Sequence, residues 1–156
     1  MSGSAVAEAC ETSGATTGLL LSYMRRQAGD DAVAEVLRRA GVPHSAAQLA
    51  MSSQWTSYDT RIRLFAAATE VLGDPDTMFR VGREALSLGL TPAIVLLVRA
   101  MGSPRQVYRQ LPRAVAKFST TSTMRVLDSG ATSATLSYRL HEGYRHSRLT
   151  ASTPRA

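Results

Sequence analysis

Apolar positions recur at helical spacing along most of the chain and change to a period of two near its end. Leu20, Tyr23 and Met24 share one face of a first helix expected over about Thr17 to Gln27. A second helix begins at Asp30 as N-cap, with Val33, Val36, Leu37 and Ala40 in the i, i+3, i+4, i+7 pattern and Glu35–Arg39 as an i, i+4 ion pair. "AGVP" ends it, with Gly41 at the C-cap and Pro43 beyond. A short helix is expected over Ser45 to Met51. The next starts at Ser57, pairs Asp59 with Arg63, and turns Ile62, Phe65, Val71 and Leu72 inward.

Three cap-plus-proline starts follow. Asp74–Pro75, Thr91–Pro92 and Ser103–Pro104 each place a capping side chain before a proline whose missing N–H costs nothing in a first turn. The segment after Thr91 is apolar on all sides, which predicts the centre of the core. In "GSPRQVYRQLPRAVAKFSTT" the apolar face holds Val107, Leu111, Val115 and Phe118, while Arg105, Arg109, Arg113 and Lys117 form a basic stripe. Pro112 removes one backbone bond there, so a kink or break is expected near Tyr108–Leu111. After Thr121, Met124 and Val126 alternate with polar neighbours and "DSGA" reads as a turn. Ala134, Leu136, Tyr138 and Leu140 then face one way, which predicts a half-buried antiparallel hairpin. The expected class is α+β: six or seven helices, then a small hairpin whose sheet is incomplete, since an isolated two-stranded hairpin is marginal.

At 156 residues the chain is long enough for one domain with a real core. Residues 17–149 are assigned to it, with 1–16 as a disordered leader and 150–156 as a disordered tail. The longest strongly apolar run, Pro92 to Val98, is far short of the roughly 20 residues that cross a bilayer. The small, polar, acidic N-terminus is not a signal peptide. No membrane association is expected, and a cytoplasmic location follows by default. Cys10 is the single cysteine, which excludes an internal disulfide and a cysteine-based metal site.

Charge divides the chain. Residues 1–96 hold 8 basic and 10 acidic groups, a net −2, and residues 97–156 hold 10 and 2, a net +8. A basic half attracts nucleic acid, anionic lipid or an acidic partner. Seventeen of the 18 cations are Arg, which in an Ala-rich chain points to GC-rich coding and weakens arguments from Arg content. The stripe reads first as a solvated face or a surface for an acidic partner, and second as a nucleic-acid contact, because no helix-turn-helix pair stands out.

Catalytic motifs are missing. No serine sits in a nucleophile elbow, "DSGATSAT" lacks the lysine of a phosphate loop, and no carboxylate pair suggests acid–base work. His141 and His146 are five apart and follow a strand, whereas a zincin helix needs four. Neither a metal nor another cofactor is expected. His44 reads as a loop residue. "QWTSYD" gathers Trp55 and Tyr58 before a helix, where they serve either as a hydrophobic anchor or as the wall of a small-molecule pocket.

Three runs, "WTSYDTRIRLFAAATEVLGDP", "GSPRQVYRQLPRAVAKFSTTSTM" and "GATSATLSYRL…GYRHSRL", together resemble the N-terminal input region of actinobacterial signalling proteins that carry GAF and diguanylate-cyclase (GGDEF) output domains. More distantly the layout is similar to 4-vinyl-reductase-like, heme-NO-binding-like and AraC-type effector sensor domains. The resemblance spans roughly Leu19 to Leu149. Relative to that pattern the chain is truncated, since further strands, a Cys- and Gly-containing segment and an output domain would follow. It implies a non-catalytic input module that binds a small apolar ligand or a protein partner and relays the event through the 104–118 helix. The expected ligand pocket comprises Trp55, Tyr58, Phe65, Leu97, Tyr108, Leu136 and Tyr138. The expected partner surface, for an acidic protein or a dimer mate, is Arg105, Arg109, Arg113 and Lys117. The alternative is a nucleic-acid-binding regulator using the basic half.

Overall fold

The computed structural model describes residues 8–88 and 102–144. Local capping chemistry sets most element boundaries. Helix α1 (Gly14–Ala40) starts at Ser13, whose hydroxyl accepts the Ala15 N–H, and ends at Gly41, which adopts φ 59° and donates back to Arg38. Within α1, Gly29 takes φ 81°, ψ −177°, so the helical path breaks where the sequence separates two helices. Helix α2 (Ala46–Ala50) carries a reciprocal Ser45–Gln48 capping box. Ser57 caps α3 (Tyr58–Leu72), and the expected Asp59–Arg63 and Glu35–Arg39 pairs form at 2.9 and 2.6 Å. The Asp74 side chain accepts the Asp76 N–H in a turn, so α4 (Thr77–Leu88) starts later than a cap at Asp74 implies.

The core lies where α1 packs on α2, α3 and α4. Leu20, Leu21, Met24, Leu49 and Leu64 are fully buried there, each contributing about 1.5–3 kcal/mol of hydrophobic stabilisation. Phe65 is buried as expected, while Ile62, Val71 and Leu72 are only half-buried; Leu64, Ala67 and Ala68 take the innermost positions of α3. The helix expected over 91–101 lies outside the described residues.

Helix α5 (Pro104–Ala116) begins at the Ser103 cap with Pro104 in its first turn. It runs through Pro112 without the expected break. The cost of the proline is confined to the Tyr108 carbonyl, which loses one donor, and packing against the following strand holds the axis. No α5 residue is fully buried. After the two short strands β1 (Thr12–Ser13) and β2 (Trp55–Thr56) of the helical half, strands β3 (Ser122–Ser129) and β4 (Ala134–Leu140) form the hairpin. Its antiparallel register sets Met124 opposite Tyr138 and Val126 opposite Leu136. A bulge at Leu127 shifts the register and leaves that side chain exposed. The turn falls on residues 130–133, closed by the Gly130 N–H on the Ser133 carbonyl, slightly later than "DSGA". The expected apolar face is only partly covered. Leu136 and Tyr138 remain exposed on β4, which has no strand beyond it among the described residues.

Two expectations need correction. Five helices occur among the described residues, not six or seven: the first two run together across Gly29, and the one expected after Thr91 lies outside the described residues. The leader is also structured from Glu8 onward. Strand β1 (Thr12–Ser13) pairs antiparallel with β2 (Trp55–Thr56) and bridges on its other side to Ser119. Polar burial replaces apolar periodicity there: Thr12, Thr56 and Thr121 are almost wholly inaccessible, and the Thr12 and Thr56 hydroxyls meet at 3.2 Å. Among the described residues no helix is long and apolar enough to cross a membrane.

Gly14 joins β1 to α1 in tight quarters. A Cβ there would sit 2.0 Å from the Met51 carbonyl oxygen and 2.7 Å from that of Leu49. Gly82, on α4, has open space around the same position. Gly14→Ala is therefore expected to destabilise the protein by about 1–3 kcal/mol through overpacking. Gly82→Ala should stabilise it by about 0.5–1 kcal/mol through helix propensity. Urea unfolding midpoints of the two variants check both directions.

Candidate functional site

The aromatic residues of the two layers meet at one junction. Tyr58, Arg61 and Phe65 are spaced i, i+3, i+7 and so share one face of α3. The guanidinium carbon of Arg61 lies 5.0 Å from the centroid of the Phe65 ring, within cation–π range. From the hairpin side, Tyr144 meets Tyr58 edge-to-face, with centroids 5.2 Å apart and planes at 71°. Tyr138 on β4 lies near enough to influence the ionisation of both Tyr58 and Arg61. Glu11 fastens the junction: its carboxylate accepts the Tyr58 backbone N–H at 2.8 Å and also the Tyr144 hydroxyl.

Arg61 stands out electrostatically. Burial lowers its pKa, opposed by Tyr138 and Tyr58. Its Nε is sealed from solvent and has no hydrogen-bond acceptor. All twelve acidic side chains of the sequence fall within the described residues, and none forms an ion pair with it. Arg63, two residues on, shows the ordinary alternative: it pairs with Asp59 and donates to the Ala40 carbonyl at 2.7 Å. Burial raises the pKa of Tyr58. That of Tyr144 rises because its hydroxyl donates to Glu11. The junction thus offers aromatic faces and one uncompensated cation, a combination suited to binding.

Of the expected pocket residues, Tyr58 and Phe65 lie on one face of α3, and Tyr138 on β4 influences the ionisation of Tyr58 and Arg61. Leu136 lies two residues before Tyr138 on the same strand, exposed. Trp55 sits half-buried on β2 opposite Ser13, and Tyr108 is half-buried on α5. Leu97 lies outside the described residues, as does His146. Arg105, Arg109, Arg113 and Lys117 are all exposed, and none has an ion-pair partner among the described residues. His141 contacts the Thr123 hydroxyl at 2.8 Å, and no group of three metal-ligating side chains occurs among the described residues. His44 is not isolated in its loop, since it pairs with Glu8 at 3.0 Å. Sequence reasoning missed Arg61, Tyr144, Glu8 and Glu11. The Tyr58, Arg61, Phe65 spacing was the one available signal.

Glu8 carries the clearest pH dependence. Burial opposes its ionisation, yet donors from the Thr60 hydroxyl, His44, and the Ser57 backbone and hydroxyl hold its pKa at about 2. A carboxylate depressed on folding adds stability that is fully present above its unfolded value and is lost as pH falls through the folded one. Stability is therefore expected to drop between about pH 5 and pH 2. Glu8→Gln should be less stable than the parent at neutral pH and should show a shallower loss across that window, read from urea unfolding at each pH.

No protein-family model, curated protein or solved structure matches this chain.

Proposed function

We propose that this protein is a non-catalytic input module that binds a small molecule at the α3–hairpin junction and relays the event through α5. The observation that carries the reading is the edge-to-face contact of Tyr58 on α3 with Tyr144 after the hairpin, next to Arg61 over the Phe65 ring. A ligand seated among rings from both layers changes how they pack. Helix α5 rests on β3, so a change in the hairpin would reach it. The response is a shift between two packings, driven by the ligand's preference for one of them. The layout that resembles signalling input regions supports the same direction of relay. The exposed stripe of Arg105, Arg109, Arg113 and Lys117 is the output face in this reading, meeting an acidic partner or a second copy.

Native mass spectrometry of the protein purified without refolding tests the site. The expected spectrum is a narrow charge envelope with a small-molecule adduct that weakens in Tyr138→Ala, a change on an exposed side chain that leaves the core intact. A folded, adduct-free protein whose α5 amides exchange hydrogen identically with and without that substitution would remove the reading. For the output face, replacing Arg105, Arg109 and Arg113 together by Glu is expected to abolish the partner or dimer contact while leaving the unfolding midpoint within about 0.5 kcal/mol, as for surface substitutions. Were the stripe a nucleic-acid contact instead, the parent protein would bind a DNA duplex with affinity falling steeply between low and physiological salt; fluorescence anisotropy is expected to show no such binding.

A further inference from the structure

A guanidinium removed from water with no counter-charge is costly, and proteins pair such groups, bond them fully or neutralise them. At Arg61 the buried Nε–H has none of these remedies among the described residues. Its Nε lacks an acceptor, its guanidinium carbon lies over the Phe65 ring, and none of the twelve acidic side chains forms an ion pair with it. The segments outside the described residues hold no Asp or Glu at all. Arg61 also stands one turn from Tyr58 on α3, over the Phe65 ring and beside the Tyr58–Tyr144 contact.

We infer that Arg61 is an anion subsite of this junction and that its ligand is a small carboxylate on an aromatic or apolar body. The inference rests on the proposed reading of the junction as a ligand site and specifies the chemistry of the ligand. The planar guanidinium fork matches a carboxylate with two parallel hydrogen bonds, and the surrounding rings supply the apolar contact. Arg61 as a whole is only half-buried, so an approach from solvent remains. Tyr138, 44% exposed on the outer strand, is the side chain with room to yield as the ligand enters. The anion would thus complete Arg61 and shift the hairpin in one act.

The test uses the full chain and two probes of nearly equal shape, 2-naphthoate and neutral 2-naphthamide, titrated by ligand-observed NMR and by thermal unfolding. The parent protein is expected to bind the acid roughly tenfold more tightly than the amide, the scale of one charged hydrogen-bonded contact. Arg61→Met should erase that preference, bind the amide as before, and melt no lower than the parent without ligand. Arg61→Lys, which keeps the charge and loses the fork, should fall between. Tyr138→Ala should weaken both probes alike. Equal binding of acid and amide by the parent, or an acid preference that survives in Arg61→Met, would overturn the anion subsite while leaving the aromatic pocket standing. Failure of both probes to bind would overturn the pocket and the subsite with it.

Discussion

Between the helical core and the α5–hairpin layer runs a strand of two residues that hydrogen-bonds to both. The Glu11 N–H donates to the Thr56 carbonyl, and the Glu11 carbonyl accepts the Thr120 N–H. Two residues on, the Ser13 N–H donates to the Phe118 carbonyl and its side chain opens α1. Glu8 and Glu11 add carboxylate bonds to the first turn of α3. In a water-poor setting each of these backbone groups would be expensive to leave unpaired. Position 12 must therefore stay in register with both Thr56 and Ser119, and the junction of aromatic rings exists only while it does.

This arrangement explains what the sequence disclosed and what it hid. Helix ends were legible because Ser45, Ser57, Ser103 and Gly41 act on the backbone within a few residues of themselves. The buried faces of α1 were legible from the spacing of Leu20, Tyr23, Met24, Val33 and Val36. The central strand was not. Two residues are too few to show a period, and Thr12, Ser13, Thr56 and Ser119 look like loop composition, since their burial is made acceptable by partners more than 40 positions away. The course of α5 through Pro112 was misread for a related reason. A proline penalty of about 3 kcal/mol is a local quantity, and packing on β3 lies outside any local window.

The candidate site divides along the same line. Aromatic residues announce themselves, so Tyr58 and Phe65 could be named before their contacts with Tyr144 and Arg61 were visible. Arg61 could not, because "TRIRLF" places it beside Arg63 in what reads as one charged edge of an amphipathic helix. Their environments differ by a rotation of two residues, about 200°, around α3. Arg63 points toward Asp59 and the end of α1, whereas Arg61 points toward the Phe65 ring and the hairpin tyrosines. The missing counter-charge is a property of the whole acidic complement and becomes visible only when all twelve carboxylates have been placed.

The two layers are held by unlike means, and this bears on how a signal would travel. The α1–α4 layer contains fully buried leucines and a methionine, whose removal from water makes opening costly. The α5–hairpin layer has no buried apolar side chain; its buried residues are Ser119, Thr121 and Ser122. Among the described residues its attachment includes backbone bonds along β1, the Tyr144–Glu11 bond and the Tyr58–Tyr144 contact. Regions with few buried apolar contacts occupy the low end of a protein's local stability scale and open first. In the proposed reading, a ligand's preference for one ring arrangement would act on the outer layer before the core. Because α5 packs on β3, a shift of that strand would carry the exposed cations with it in the proposed relay.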